Sequence, residues 1–276
     1  MLNGVMLLWF LLTAASVIFV ALDIRKTPES KVLKWGFILL TLYTGPVGVF
    51  LYVLGCREPL PGMHERYVEV RWRQVLGSTM HCVAGDGAGI LVGAVIGSFL
   101  SLAMLWDVAI EYVLGFGFGW TIFQSLFMRD TVGGSYTLAM KKTFIPELVS
   151  MNCLMAAMAP ISSIAKAHVP GSESAFSPAF WFIMSMALLA GFIAAYPMNW
   201  WLVTNHLKHG MMTVRPTKSG DERTGMGGGS SGGMSMESGQ SGMPMKSVSN
   251  FDIAKMTLLS FGIMALGIAI GYIFSR

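Results

Sequence analysis

Apolar residues in this chain run in long blocks, separated by short polar stretches. Seven blocks cover residues 2–22, 33–55, 79–106, 108–128, 146–164, 180–203 and 253–274. A helix rises 1.5 Å per residue, so about 20 apolar residues cross the ~30 Å hydrocarbon core of a bilayer. The pattern predicts an all-α integral membrane protein with about seven transmembrane helices. The block at 146–164 is the least regular, because Glu147, Asn152 and Pro160 interrupt it. It reads as a broken or re-entrant helix, which is tolerated where protein or water covers the backbone. Gly45-Pro46 predicts a kink in the second block. The first block has neither a basic flank ahead of it nor a convincing small-residue cleavage site before Asp23, so it reads as a retained helix.

One long stretch breaks the pattern. Residues 213–250 are rich in Gly, Ser, Thr and charge, without hydrophobic periodicity, and read as a flexible linker. The predicted organisation is therefore an N-terminal two-helix hairpin (1–56), a four-helix core (57–212), the linker (213–250) and a C-terminal transmembrane helix (251–276). This is a six-helix body with one tethered helix. Gly85, Gly89, Gly93 and Gly97 recur every fourth residue, and Gly267 and Gly271 repeat the spacing in the last block. Such stripes let a second helix approach closely, in the same chain or in another membrane subunit.

Composition agrees with lipid as the solvent. The chain has 276 residues, of which 54% are hydrophobic and only 12% charged, and its mean hydropathy is +0.60. The net charge of +4 is spread over loops, which excludes a nucleic-acid footprint. Three cysteines make no disulfide framework. If successive blocks reverse direction, thirteen Lys and Arg fall on one side and six on the other. The positive-inside rule then puts the thirteen, and the N-terminus, in the cytoplasm. Arg25, Lys26, Lys31 and Lys34 in the first loop favour the opposite orientation.

Candidate chemistry gathers at the start of the third block, in the run His81-Cys82-Val83-Ala84-Gly85-Asp86. On a helix Cys82 and Asp86 lie one turn apart on one face, with His81 beside it. Imidazole, thiolate and carboxylate are common metal ligands. The same residues also suit a polar helix start with a buried thiol. His206 and His209, three apart beyond the sixth block, share a face if that helix continues. Most of the 22 methionines fit adaptable apolar packing, but Met226, Met234, Met236, Met243 and Met245 lie in the polar linker, where there is no core to fill. Thioethers select soft cations, above all Cu(I). Asp107 and Glu111 read as solvated first-turn acids of the fourth helix, and Glu147 after Pro146 as another. Gln124 and Asn152 read as hydrogen-bonding groups between helices. The chain has no Walker loop, dinucleotide fingerprint, zinc-protease motif or Gly-x-Ser-x-Gly elbow.

Several stretches resemble one family. They are Lys34-Trp35 through Tyr43-Thr44-Gly45-Pro46, His81-Cys82 with Gly85, Phe180-Trp181-Phe182-Ile183-Met184 with Gly191-Phe192, and Tyr196-Pro197-Met198-Asn199-Trp200-Trp201-Leu202 with Lys208 and His209 beyond. They are similar to domain-of-unknown-function family 4396, comprising bacterial and archaeal multi-pass membrane proteins, some labelled copper oxidases. The resemblance implies a prokaryotic plasma-membrane location and a link to metal, but no particular reaction. The family usually reads His-Cys-x-x-Gly-Cys with an acid one turn further on. Here Asp86 holds the second Cys position, Ile90 stands near the expected acid, and Lys141-Lys142-Thr143 replaces an acidic motif. A paired-thiol site therefore does not carry over.

The expectation is a membrane protein that binds, chaperones or moves copper rather than catalysing a reaction. His81, Cys82 and Asp86 form the inner site, His206 and His209 complete it, and the linker methionines collect the ion. A non-catalytic accessory or assembly subunit of a larger membrane complex is the alternative. A haem- or quinone-linked oxidoreductase is a weaker one.

Overall fold

The computed structural model describes residues 2–29, 31–60, 62–129, 132–210 and 248–276. These residues form helices and connecting turns, with no strand among them. The helices are α1 (Leu2–Asp23), α2 (Lys31–Thr44), α3 (Pro46–Gly55), α4 (His64–Val68), α5 (Arg71–Leu100), α6 (Met104–Phe118), α7 (Ser125–Arg129), α8 (Tyr136–His168), α9 (Pro178–Thr204) and α10 (Asn250–Phe274). Among the described residues, five helices are long and apolar enough to cross a membrane: those built on α1, α5, α8, α9 and α10. The chain is accordingly an integral membrane protein of all-α class.

The second predicted block is not one rod. Gly45 takes φ +58°, and the chain folds back on itself there. Gly48 packs so closely on α2 that a Cβ would lie 2.6 Å from Thr41 Cα. Both feet of this helical hairpin lie at the same end of the bundle. At that end Arg57 pairs with Asp23 at 2.9 Å, and Tyr52 donates to Asp23 at 3.0 Å. Gly36 faces Ala84 while Gly55 faces Leu76, so α2 climbs alongside α5 and α3 descends. The turn is chemically closed, as backbone buried away from water must be. Thr41 and Thr44 cap the carbonyls of Phe37 and Leu40, and the Ser185 hydroxyl donates to the Tyr43 carbonyl. The kink expected at Gly45-Pro46 is thus a reversal, because a positive φ followed by proline cannot continue the helix.

The fourth block also differs from a regular span. Helices α6 and α7 join through a wider π-helical stretch, Gly119–Gln124, giving a continuous helical rod over residues 104–129. The stripe Gly89, Gly93, Gly97 seats this rod. A Cβ on Gly89 would meet Gly115 Cα at 2.8 Å, and one on Gly93 would meet Glu111 Cα at 2.8 Å.

The fifth block is neither broken nor re-entrant. Pro146 and Pro160 both stand inside the 33-residue α8. Pro160 has no N–H for the Ala156 carbonyl. Helix α10 lies against that carbonyl, with Gly267 facing Ala156 and Gly271 facing Pro160. The last helix therefore runs parallel to α8, and Asn152 ties both to α6: it accepts from Tyr112 at 2.7 Å and donates to Ser260 at 3.0 Å.

Candidate functional site: a buried thiol and carboxylate cluster

Helices α5 and α8 start earlier than the hydrophobic pattern indicates, and this sets the depth of the site. Helix α5 begins at Arg71, so Asp86 stands at the middle of its 30 residues rather than at a mouth. Helix α8 begins at Tyr136, with the Ser135 hydroxyl accepting from the Leu138 N–H. Glu147 is therefore mid-helix and fully buried, not a first-turn acid. The two helices bring Cys82, Asp86 and Glu147 together. One donor atom from each lies within 4.8 Å of the others, and all three residues are buried.

Cys82 donates to Glu147 Oε2 at 2.7 Å and receives the Gln124 amide at 3.0 Å. Lys208 comes down from the end of α9, with Nζ 3.1 Å from Glu147 Oε2 and in contact with Cys82 Sγ. Among the described residues, no hydrogen-bond donor reaches Asp86 Oδ1, Asp86 Oδ2 or Glu147 Oε1. Opposite them is Gly119, the first residue of the π-helical stretch. A Cβ there would lie 2.7 Å from Glu147 Oε1 and 3.0 Å from Asp86 Cγ. The glycine lets both carboxylates press against the backbone of that stretch, where any side chain would collide with them. Wide π turns of this kind recur at functional sites.

How Lys208 gets there is legible in the backbone. Helix α9 ends in a Schellman turn, with Leu207 N–H bonded to Leu202 O at 2.9 Å and His206 N–H to Val203 O at 3.2 Å. His206 takes the left-handed position at φ +56° that glycine usually fills. The helix does not continue, so His206 and His209 share no helix face. Both remain exposed, while Lys208 between them is buried.

His81 does not join Cys82 and Asp86. Its ring packs 4.9 Å from Phe127 and 5.7 Å from Phe123 between centroids, and its Nε2 has no hydrogen-bond partner among the described residues. A narrow cleft beside Lys208 is lined by His81, Gln124, Lys208 and His209, while Cys82, Asp86 and Glu147 do not line it. Met226, Met234, Met236, Met243 and Met245 lie outside the described residues. Asp107 and Glu111 are not simply solvated. Lys166 binds both, at 2.6 and 3.3 Å, and Glu111 is fully buried.

A sulfur, two carboxylates and a buried ammonium at mid-helix form an unbalanced set. With the thiol protonated, the ionised carboxylates exceed the lysine by one charge, and uncompensated charge is costly at this depth. Thiolate and carboxylate together accommodate a borderline first-row cation. The ligand atoms of Cys82, Asp86 and Glu147, within 4.8 Å of one another, fit such an ion, provided Lys208 yields its contact with Cys82.

The profile of a domain of unknown function, DUF4396, matches residues 71–208. The chain belongs to that family. The DUF4396 region runs from the first residue of α5 to Lys208, so it holds every residue of the cluster. The hairpin α2–α3 and the tethered α10 lie outside the matched residues. Comparison with curated proteins and with solved structures returned no match.

Proposed function

We propose that this DUF4396 protein is a membrane-embedded metal-handling protein in which Cys82, Asp86 and Glu147 hold the ion, with copper the first candidate. The observation that carries the reading is the set of three carboxylate oxygens that no donor among the described residues reaches, beside a buried thiol. Cys82 and the five linker methionines are the soft donors that favour copper; the carboxylates extend the range to other late first-row divalent ions. Lys208 is the displaceable cation: it offsets one of the two carboxylate charges of the empty cluster and withdraws as metal enters. When bound, the metal supplies only charge here. The protein residues supply a soft anchor, two hard anchors and a gate.

The transmembrane path proposed is six crossings, formed by α1, α5, the 104–129 rod, α8, α9 and α10, plus the re-entrant α2–α3 hairpin. With the second block folded back, the basic residues of the first two loops share one end of the bundle. Of the fifteen Lys and Arg among the described residues, only Lys166 and Arg276 fall at the other end. The positive-inside rule makes the basic end cytoplasmic. This revises the orientation expected from sequence: both chain ends lie outside, and the cleft above Lys208 opens to the cytoplasm.

Elemental analysis of the detergent-solubilised full chain after copper loading tests the metal reading. About one bound copper, lost on Cys82→Ser and on Glu147→Gln, supports it. A chain that stays metal-free after exposure to Cu(I), Cu(II) and Zn(II) overturns it. The carboxylate pair would then hold a shared proton, and the accessory-subunit reading would take its place.

A further inference from the structure

The cleft beside Lys208 holds two polar groups that the Cys82 cluster does not use. Ser78 and His81 both line it, and they are only 5% and 4% exposed. No hydrogen-bond partner among the described residues reaches Ser78 Oγ or His81 Nε2. They stand three apart on α5 and so share one face of that helix. Buried polar atoms rarely go without partners, so a hydroxyl and an imidazole lining one cleft call for a common occupant. The cavity measures about 20 Å³, room for one water-sized body. That is too small for an organic substrate and large enough for a single ion.

The remaining walls say which kind of ion. Met128 of α7 and His209 of the turn after α9 line the cleft together with His81. Met128 and His209 also line a wider opening with His206 and Lys142. The two histidines that share no helix face therefore share an entrance. Imidazole and thioether are neutral donors, and thioether selects Cu(I). No carboxylate lines the cleft, in contrast to the Cys82 cluster. Lys142 stands at the opening and Lys208 at the inner wall. A cation between them meets like charge from both sides, and that repulsion is twice as large for a divalent ion. Charge and softness thus both favour a monovalent soft ion. Lys208 and Gln124 belong to cleft and cluster alike, since each also touches Cys82 Sγ. Cys82 itself is the residue after His81.

We propose that the cleft is an entry station for Cu(I), held by His81 Nε2 with Met128 and His209 before Lys208 yields and Cys82 takes the ion. The inference rests on the metal reading of the Cys82 cluster and adds the route by which the ion arrives. The transfer is a ligand exchange: the copper–His81 bond breaks, a copper–Cys82 bond forms, the thiol proton passes to water, and copper stays Cu(I). The station exchanges freely with solution, so its copper is lost on desalting.

The full chain, isotope-labelled in its histidine rings, is titrated with Cu(I) in detergent without oxygen, and the imidazole nitrogens are followed by magnetic resonance. His81→Phe, which keeps a ring between Phe123 and Phe127, assigns the His81 signal. In Cys82→Ser protein, Cu(I) should move the His81 Nε2 resonance, and an equal concentration of Zn(II) should not. His209→Ala, at an exposed position that folding does not need, should raise the Cu(I) required by about tenfold or more, the range seen when even an outer partner of a metal ligand is lost. With Cys82 intact, His81→Phe should slow the appearance of thiolate-to-copper absorption several-fold and leave its final amplitude unchanged. A His81 resonance unmoved by Cu(I), or moved equally by Zn(II), overturns the proposal and leaves water as the occupant of the cleft. Uptake at the parent rate in folded His81→Phe protein overturns it too. If His81 responds while the parent shows no thiolate absorption and retains no copper, the reading of Cys82 fails instead, and the cleft is the copper site by itself.

Discussion

Replacing Gly267 by alanine tests the docking of α10 at the point where it is closest. The new Cβ would sit 2.8 Å from the Ala156 carbonyl carbon and 2.9 Å from its Cα, and closer still to its oxygen. All three are backbone atoms of α8, so none can swing aside. Ordinary contact between carbon atoms is about 3.5–4.0 Å, so α10 must withdraw by roughly 1 Å. Withdrawal strains the Asn152–Ser260 bond, now 3.0 Å. Overpacking usually costs about 1–3 kcal/mol, and unyielding backbone atoms put this case in the upper half, about 2–3 kcal/mol; the helix preference of alanine over glycine returns about 1 kcal/mol. The net expectation is a loss of about 1–2 kcal/mol, or roughly 3–6 °C in melting temperature for a chain of this size. The control is in the same helix: Gly262 has nothing within 4 Å of its Cβ position, so Gly262→Ala should be neutral or stabilising by up to about 1 kcal/mol. Thermal scans of the full chain in one mild detergent compare the two. A Gly267→Ala protein as stable as the parent, or a Gly262→Ala protein equally weakened, refutes the close approach of α10 to Ala156.

Other consequences are open to similar tests. Lys208→Met removes the ammonium that caps Cys82 and Glu147, and competitive titration should show metal affinity raised by about tenfold or more; weaker binding would mean that Lys208 helps hold the ion. Lys166→Met strands the buried Glu111 carboxylate and Asp107 and should cost about 3 kcal/mol in unfolding measurements; adding Asp107→Asn and Glu111→Gln should recover most of the loss. The three native cysteines are buried, so thiols introduced by Asn3→Cys and Ser275→Cys should react in intact cells with a membrane-impermeant reagent, while one from Ser249→Cys should not. Labelling of Ser249→Cys but not of Asn3→Cys would invert the proposed orientation.

The hydrophobic blocks of the sequence locate the helices well, because a bilayer demands length and apolarity and little else. They locate helix ends poorly. Arg71, Arg73 and Gln74 at the start of α5, and Lys141 and Lys142 in α8, are too polar to count as span, yet they are helical. That shift turns Asp86 and Glu147 from edge residues into mid-helix ones. The hairpin was hidden for a different reason: residues 33–55 have the length of one crossing, and only the positive φ of Gly45 shows the reversal. Cys82 and Asp86 are one turn apart in any helix, so their pairing follows from spacing alone. Their partners do not. Glu147 is 65 residues from Cys82 and Lys208 is 126 residues away, and nothing local announces either. The His206–His209 pair was suggested by an assumed continuation of α9, which the Schellman turn prevents.

The carbonyl of Ala156 has a consequence for how the chain is made. During synthesis α8 is complete long before α10 emerges, and until then the acceptor exposed by Pro160 has neither a helix N–H nor Gly267 beside it. The half-built bundle therefore presents a bare polar notch to lipid, at the spot where the last segment will dock. A chain cut short before residue 250 keeps that notch permanently.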